Sequence, residues 1–146
     1  MTQALAQARR RDTRVTLLFL DLDGFKDVND RHGHGAGDNL LKEVAARLSA
    51  CVRAADTVAR VGGDEFAVLL EAHRSPDDAE FVAEKLVEAL HAPFQLPEGE
   101  VTISCSVGIA LYPADGEDFK TLLRHADLAM YRAKQGGKDR VARWAV

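Results

Sequence analysis

Apolar positions along the chain follow two periods. Val15-Thr16-Leu17-Leu18-Phe19-Leu20-Asp21-Leu22 is nearly continuous, too unbroken for a half-exposed strand and too short for a membrane span, and predicts a strand over 15–22 buried on both faces. It ends on acid. Val58 and the residues up to Leu70 hold two apolar runs separated by Gly62-Gly63, which predicts a tight hairpin with Asp64 and Glu65 at its tip and a strand over 65–70. Pro93 to Val101 predicts a short hairpin turning at 97–99, followed by a core strand over Thr102 to Ala110 and an edge strand near Arg140 to Trp144.

Elsewhere the spacing is helical. Leu40, Leu41, Val44, Leu48 and Val52 predict a helix from Asp38 to about Arg53. Val82, Leu86 and Leu90 predict another, capped by Ser75, opened by Pro76 and ending near Ala89 or His91. Leu122, Ala126, Ala129 or Met130, and Ala133 predict a third from about Asp118 to Lys134. Residues 2–11, alanine-rich and closed by Arg9-Arg10-Arg11, suit the last turns of a helix. Asp27 to Arg31 suits a short helical turn, and Gly33-His34-Gly35-Ala36-Gly37 reads as a loop by composition. The resulting order of helices and strands predicts an α/β sandwich (α+β) with a largely antiparallel central sheet flanked by helices.

Composition narrows the function. At 146 residues, with no shift in composition, the chain is expected to form one domain. No apolar run reaches transmembrane length and the first residues lack the layout of a secretory signal, so a cytoplasmic module without membrane contact is expected; a membrane anchor elsewhere in a parent protein is left open. A net charge of -4 argues against a general DNA or RNA surface, unless a local patch or a metal supplies the positive charge, and against a polymerase palm, which needs a basic groove. Cys51 and Cys105 lack metal-ligand spacing and are expected as buried free thiols. His32 and His34 have no third soft ligand nearby and receive no role.

The candidate chemistry lies where the strands end on carboxylates. Asp64 and Glu65 repel each other unless solvent or a cation intervenes, and hard divalent cations take such oxygen ligands. Alone, an acidic hairpin tip is equally a solvated turn. Asp21, at the end of a buried strand and followed by Gly24 and Lys26, supplies a second carboxylate-bearing element. Two such elements meeting at one sheet edge suit metal-assisted phosphoryl or nucleotidyl transfer. Lys134 and Lys138, around Gly136-Gly137, are either surface lysines at a helix end or ammonium groups able to reach a triphosphate. Asp38 has a plain role near a helix N-terminus. Arg53 and Asp56 are either an ion pair closing a helix or an arginine fork for guanine or phosphate.

Gly62-Gly63-Asp64-Glu65-Phe66, Asp21-Leu22-Asp23-Gly24-Phe25-Lys26 with Asn29-Asp30, and Gly33-His34-Gly35-Ala36-Gly37-Asp38 together resemble the GGDEF domain of bacterial diguanylate cyclases. Ser106-Val107-Gly108-Ile109-Ala110 and the segment Ala126 to Lys134 extend the likeness over nearly the whole chain. The resemblance implies a palm-like fold and condensation of two GTP into cyclic di-GMP plus pyrophosphate across a transient homodimer. It implies magnesium, with manganese as the alternative, on Asp21, the carbonyl of Leu22, Asp64 and Glu65, the last two being catalytic. Phosphates would fall to Lys26, Lys134, Lys138 and the amides around Gly24 and Phe25; the guanine edge to Asn29 and Asp38; and close backbone approach to Gly62 and Gly63. Position before the signature makes Arg53 and Asp56 the inhibitory site for cyclic di-GMP. Two departures accompany the resemblance. Lys138 stands where the family usually has arginine, and nothing before Ala4 matches the family's Asp-x-Leu-Thr segment, so the expectation is a single GGDEF domain over 1–146 without it. The rival expectation is a regulatory module that binds GTP or cyclic di-GMP without catalysis.

Overall fold

The structure, a computed structural model, describes residues 6, 8, 14–71 and 76–144. From residue 14 on, the described residues form seven strands and four helices in order: β1 (Val15–Asp23), α1 (Phe25–His32), α2 (His34–Cys51), β2 (Thr57–Gly62), β3 (Glu65–Glu71), α3 (Pro76–Ala89), β4 (Phe94–Leu96), β5 (Gly99–Val101), β6 (Ser104–Tyr112), α4 (Phe119–Gln135) and β7 (Arg140–Arg143). Five strands form one sheet in the order β2-β3-β1-β6-β7, and β4 and β5 form a separate hairpin. Every pairing in the large sheet is antiparallel except β6 with β7. β1 therefore sits at the centre, flanked over its length by β3 and β6.

Because side chains alternate across a strand, β1 feeds two cores. Leu18, Leu20 and Leu22 pack with Phe66, Val68, Val107 and Ile109 beneath Val28 of α1, Leu40, Val44 and Leu48 of α2, and Leu86 of α3. Val15, Leu17 and Phe19 pack on the opposite face with Ala67, Leu69, Ala110 and Tyr112 beneath Leu122, Ala126 and Met130 of α4. α4 lies close because Gly108 has no side chain: a Cβ there would fall 2.0 Å from the Ala126 carbonyl oxygen and 2.3 Å from the Met130 nitrogen. Asp118 caps this helix, accepting from the Thr121 amide at 2.8 Å, a bond that holds its carboxyl below the usual range.

Several local expectations shift. Gly33 to Gly37 is not a loop: Gly33 alone breaks the chain, with φ of 91°, and α2 begins at His34. Ala36 and Gly37 are buried, and the Asn29 side chain occupies the space a Cβ on Gly37 would need, 1.9 Å from its Oδ1. Close packing thus overrides the low helix propensity of glycine, roughly 1 kcal/mol per residue. Asp38 in consequence lies one turn inside α2, exposed, while Gly33 takes the N-cap position. α2 ends at Cys51 rather than Arg53. β6 starts two residues later than Thr102 because its register follows β1, from Asp23 opposite Ser104 to Val15 opposite Tyr112. Cys105 is buried, and burial pushes its thiol up; Cys51 is only half-buried, so the expectation of two buried thiols holds for one, and both are free. Of the helix expected over 2–11, Ala6 and Ala8 are helical, and its remainder lies outside the described residues, as does Ser75.

Gly108→Ala should destabilise the domain by ~3 kcal/mol, since backbone on both sides must move. Urea unfolding of the two proteins measures this, and an unchanged midpoint would show that α4 has slack over β6.

Candidate active site

The face of β1 that packs under α4 is apolar through Phe19 and then carries Asp21 and Asp23, so its period of two delivers both carboxylates beside the end of the helix. Residues directly opposite in an antiparallel pair share a face. Asp21 is opposite Glu65 of β3 and Ser106 of β6, and Asp23 is opposite Ser104. The hairpin tip is tied to the same place: the Leu22 amide donates to the Asp64 carbonyl at 3.2 Å. Arg60 Nε donates to the Gly63 carbonyl at 2.8 Å across the turn, where Gly63 has a φ of 47° that a side chain would disfavour. A Cβ on Gly62 or Gly63 would meet nothing within 4 Å, so open space lies in front of the tip.

The carboxylates brought together here are under electrostatic stress. Asp21 is pushed up to about 6, first by burial and then by the neighbouring Asp64 charge, with Lys134 pulling the other way. Its Oδ1 is buried without a hydrogen-bond partner, while its Oδ2 lies 3.3 Å from Lys134 Nζ. Glu65 is also raised, by burial and then by Asp127 of α4 and Asp64. Burial alone would lower Lys134, yet the Asp23 hydrogen bond and the Asp21 charge outweigh it and raise the ammonium. The oxygens of Asp21, Asp64 and Glu65 are those a hard divalent cation would use. As the side chains stand, no three acidic, histidine or cysteine groups converge on one point among the described residues.

Asp23 differs from Asp21 two positions away. Burial acts to raise it, but bonds from Lys134, Ser104, the Asp139 amide and Ser106 hold it below the ordinary range. Sequence reasoning left Asp23, Ser104, Ser106, Asp127 and Asp139 out of the site. The alternation Asp-x-Asp facing Ser-x-Ser was the available signal, and it needed the β1–β6 register to be read.

The remaining candidates fall into three places. Gly24, with φ of 88°, opens α1 without a side-chain cap, so the first amides of the helix lack intrahelical partners; Phe25 is half-buried and Lys26 exposed. Asn29 is half-buried against Gly37, the residue before Asp38, and its buried Oδ1 has no partner. Lys138 is exposed in the left-handed region at φ of 65°, within the turn that leaves α4. A cleft of about 360 Å³ lined by Asp27, Arg31, His32 and Glu100 shares only Gly24 with these groups.

Arg53 and Asp56 form a closed turn. Asp56 Oδ1 accepts from the Glu71 amide at 3.1 Å, and Oδ2 accepts from the Arg53 amide at 3.0 Å and from Arg53 Nε at 3.5 Å. Arg53 also donates through Nη2 to the Glu71 carbonyl. The aspartate side chain is 3% exposed and the arginine 61%. Both carboxylate oxygens are thus occupied from within, which leaves Asp56 holding the arginine and Arg53 facing solvent.

Comparison with known proteins matches residues 1–140 to the family described as "Diguanylate cyclase, GGDEF domain". The chain is 55% identical over 139 residues to the bifunctional diguanylate cyclase/cyclic di-GMP phosphodiesterase MucR of Pseudomonas aeruginosa, an alignment that takes in 95% of this chain and 20% of MucR. The crystal structure of the GGDEF domain of TpbB, from the same organism, superposes with a TM-score of 0.93 at 41% identity, covering 97% of this chain and 89% of that one. The GGDEF domain of DgcB from Caulobacter crescentus, solved in complex with c-di-GMP, superposes with a TM-score of 0.88 at 27% identity, covering 99% and 86%. A family match over almost the entire length establishes that this chain belongs to the GGDEF domain family of diguanylate cyclases.

Proposed function

We propose that this domain condenses two GTP molecules into cyclic di-GMP, each copy holding one GTP and two copies meeting face to face. The observation that carries this reading is the tie between the end of β1 and the hairpin tip, which sets Asp21 beside Asp64 and opposite Glu65, with a buried, unpartnered Asp21 oxygen and with Asp21 and Glu65 both raised, first by burial and then by neighbouring carboxylates. Such a set gains most from a divalent cation, and its all-oxygen donors suit magnesium, or manganese in its place. A divalent cation would be held by these carboxylates and the Leu22 carbonyl and, when bound, would polarise the α-phosphate and favour loss of the 3′-hydroxyl proton of the facing GTP. In each of the two steps a 3′-oxygen–phosphorus bond forms, the α–β anhydride bond breaks, and pyrophosphate leaves.

The chain's own groups bind and orient. The open amides around Gly24 and Phe25, with Lys26, Lys134 and Lys138, hold the phosphates, and Lys134 arrives there still charged. Asn29 and Asp38 read the guanine edge: the carboxylate accepts from N1 and N2, and the amide answers O6 or N3. Gly62 and Gly63 leave room for the nucleotide beside the turn. Arg53 presents its fork to the cyclic product as an inhibitory contact, with Asp56 fixing its direction rather than touching the ligand.

Glu65→Gln should abolish turnover, by about a hundredfold or more, while melting within a few degrees of the parent, since it removes one charge from a crowded tip. Wild-type cyclic di-GMP output from this variant, measured by chromatography, would defeat the assignment. Asp38→Ala should relax the preference for GTP over ATP by about tenfold in binding, the size of a lost base contact, with phosphate affinity little changed. Unaltered selectivity in a competition titration would remove Asp38 from base reading.

The pH dependence follows from Asp21. Its folded value, about 6, exceeds the unfolded one, so ionisation costs stability as pH rises through that range, and cation binding requires the ionised form. The rise in melting temperature caused by magnesium should therefore be large near pH 8 and shrink towards about pH 5. A magnesium effect independent of pH would mean that Asp21 is not a ligand.

A further inference from the structure

We propose that Asp23 is the positioning residue for both phosphate-facing lysines, Lys134 and Lys138, an inference that rests on the nucleotide-binding reading above. A carboxylate offers about four lone-pair sites, and in Asp23 protein donors fill them. Oδ1 accepts from Ser106 Oγ at 2.9 Å and from Lys134 Nζ at 3.0 Å. Oδ2 accepts from Ser104 Oγ at 2.8 Å and from the Asp139 amide at 3.0 Å, with Ser106 Oγ again at 3.2 Å. Asp21 Oδ1, by contrast, has no partner at all. The two acids of one strand face therefore divide the work: Asp21 retains coordination capacity and Asp23 is spent on its neighbours.

What Asp23 grips decides its role. The two serines come from β6 and fix the carboxylate itself, which is 7% exposed. Lys134 comes from the last turn of α4 and is tethered between Asp23 and Asp21. The Asp139 amide belongs to the turn after α4, where Lys138 and Asp139 both adopt positive φ, 65° and 50°, without being glycine. Non-glycine residues hold that backbone only when surrounding bonds fix it. One carboxylate thus sets the Lys134 ammonium and, together with the Lys138 amide on the Ala133 carbonyl at 3.0 Å and Arg140 Nε on the Lys138 carbonyl at 2.9 Å, holds the turn from which Lys138 projects. If a nucleotide phosphate draws Lys134 away from Asp21, the bond to Asp23 keeps it at the site.

The test is a double-mutant cycle on binding of guanosine 5′-(α,β-methylene)triphosphate with magnesium, followed by calorimetry, using Asp23→Asn, Lys134→Met and the double variant. Asp23→Asn is expected to weaken binding about tenfold, and to weaken it clearly less in the Lys134→Met background, where only its hold on the Lys138 turn remains to be lost. In turnover Asp23→Asn should raise KM for GTP by a similar factor and leave kcat within about threefold. Additive losses would overturn the proposal by making Asp23 a fold residue only, and a fall in kcat with KM unmoved would overturn it by placing its role in the chemical step. Should Asp23→Asn not fold, Ser104→Ala, at a half-buried position, takes its place in the same cycle with the same criterion. Failure of the parent domain to bind the analogue would instead overturn the nucleotide-binding reading and this inference with it.

Discussion

Repulsion among carboxylates at the end of β1 is the constraint to which the rest of the domain answers. Asp21, Asp64, Glu65 and Asp127 act on one another across strand, hairpin and helix, and Lys134 supplies the opposing charge. Holding them near one another requires a rigid frame. β1 is held on both edges by long antiparallel partners, and its faces are sealed by helices, so its end cannot drift away from the hairpin. The missing side chain at Gly108 lets α4 approach closely enough for its last turn to deliver Lys134.

The same frame separates the groups of the two proposed kinds of recognition. On the α4 face stand the acids and Lys134, suited to a metal and phosphate; α1 and α2 pack on the other face and carry Asn29 and Asp38. Gly24 is the only residue between β1 and α1, so both sets are reached within a few residues of one strand end. Three glycines serve this join. Gly24 and Gly33 turn the backbone, whereas Gly37 admits the Asn29 amide against α2.

Local chemistry was legible in the sequence and distant pairing was not. The continuous run of β1, the Gly62-Gly63 turn and the apolar stripe of α4 specify elements from neighbouring residues alone, and their arrangement agrees with those patterns. The glycines after His32 misled because propensity speaks for a loop, while burial of Ala36 and Gly37 favours helix. Asp23 received no role, since nothing nearby in sequence reveals that Ser104, Ser106, Lys134 and the Asp139 amide all reach it. Asp56 is similar: its oxygen is spent on the Glu71 amide, a partner visible only once β3 is folded back beside it.

The central claim is that each copy carries half of a cyclase site, and the most direct measurement is cyclic di-GMP formation from GTP and magnesium over a range of domain concentrations. Half-sites that must meet predict a rate rising more steeply than protein concentration until dimers saturate. A domain that binds GTP yet makes no product at any concentration would contradict the account and identify a nucleotide-binding regulatory module instead.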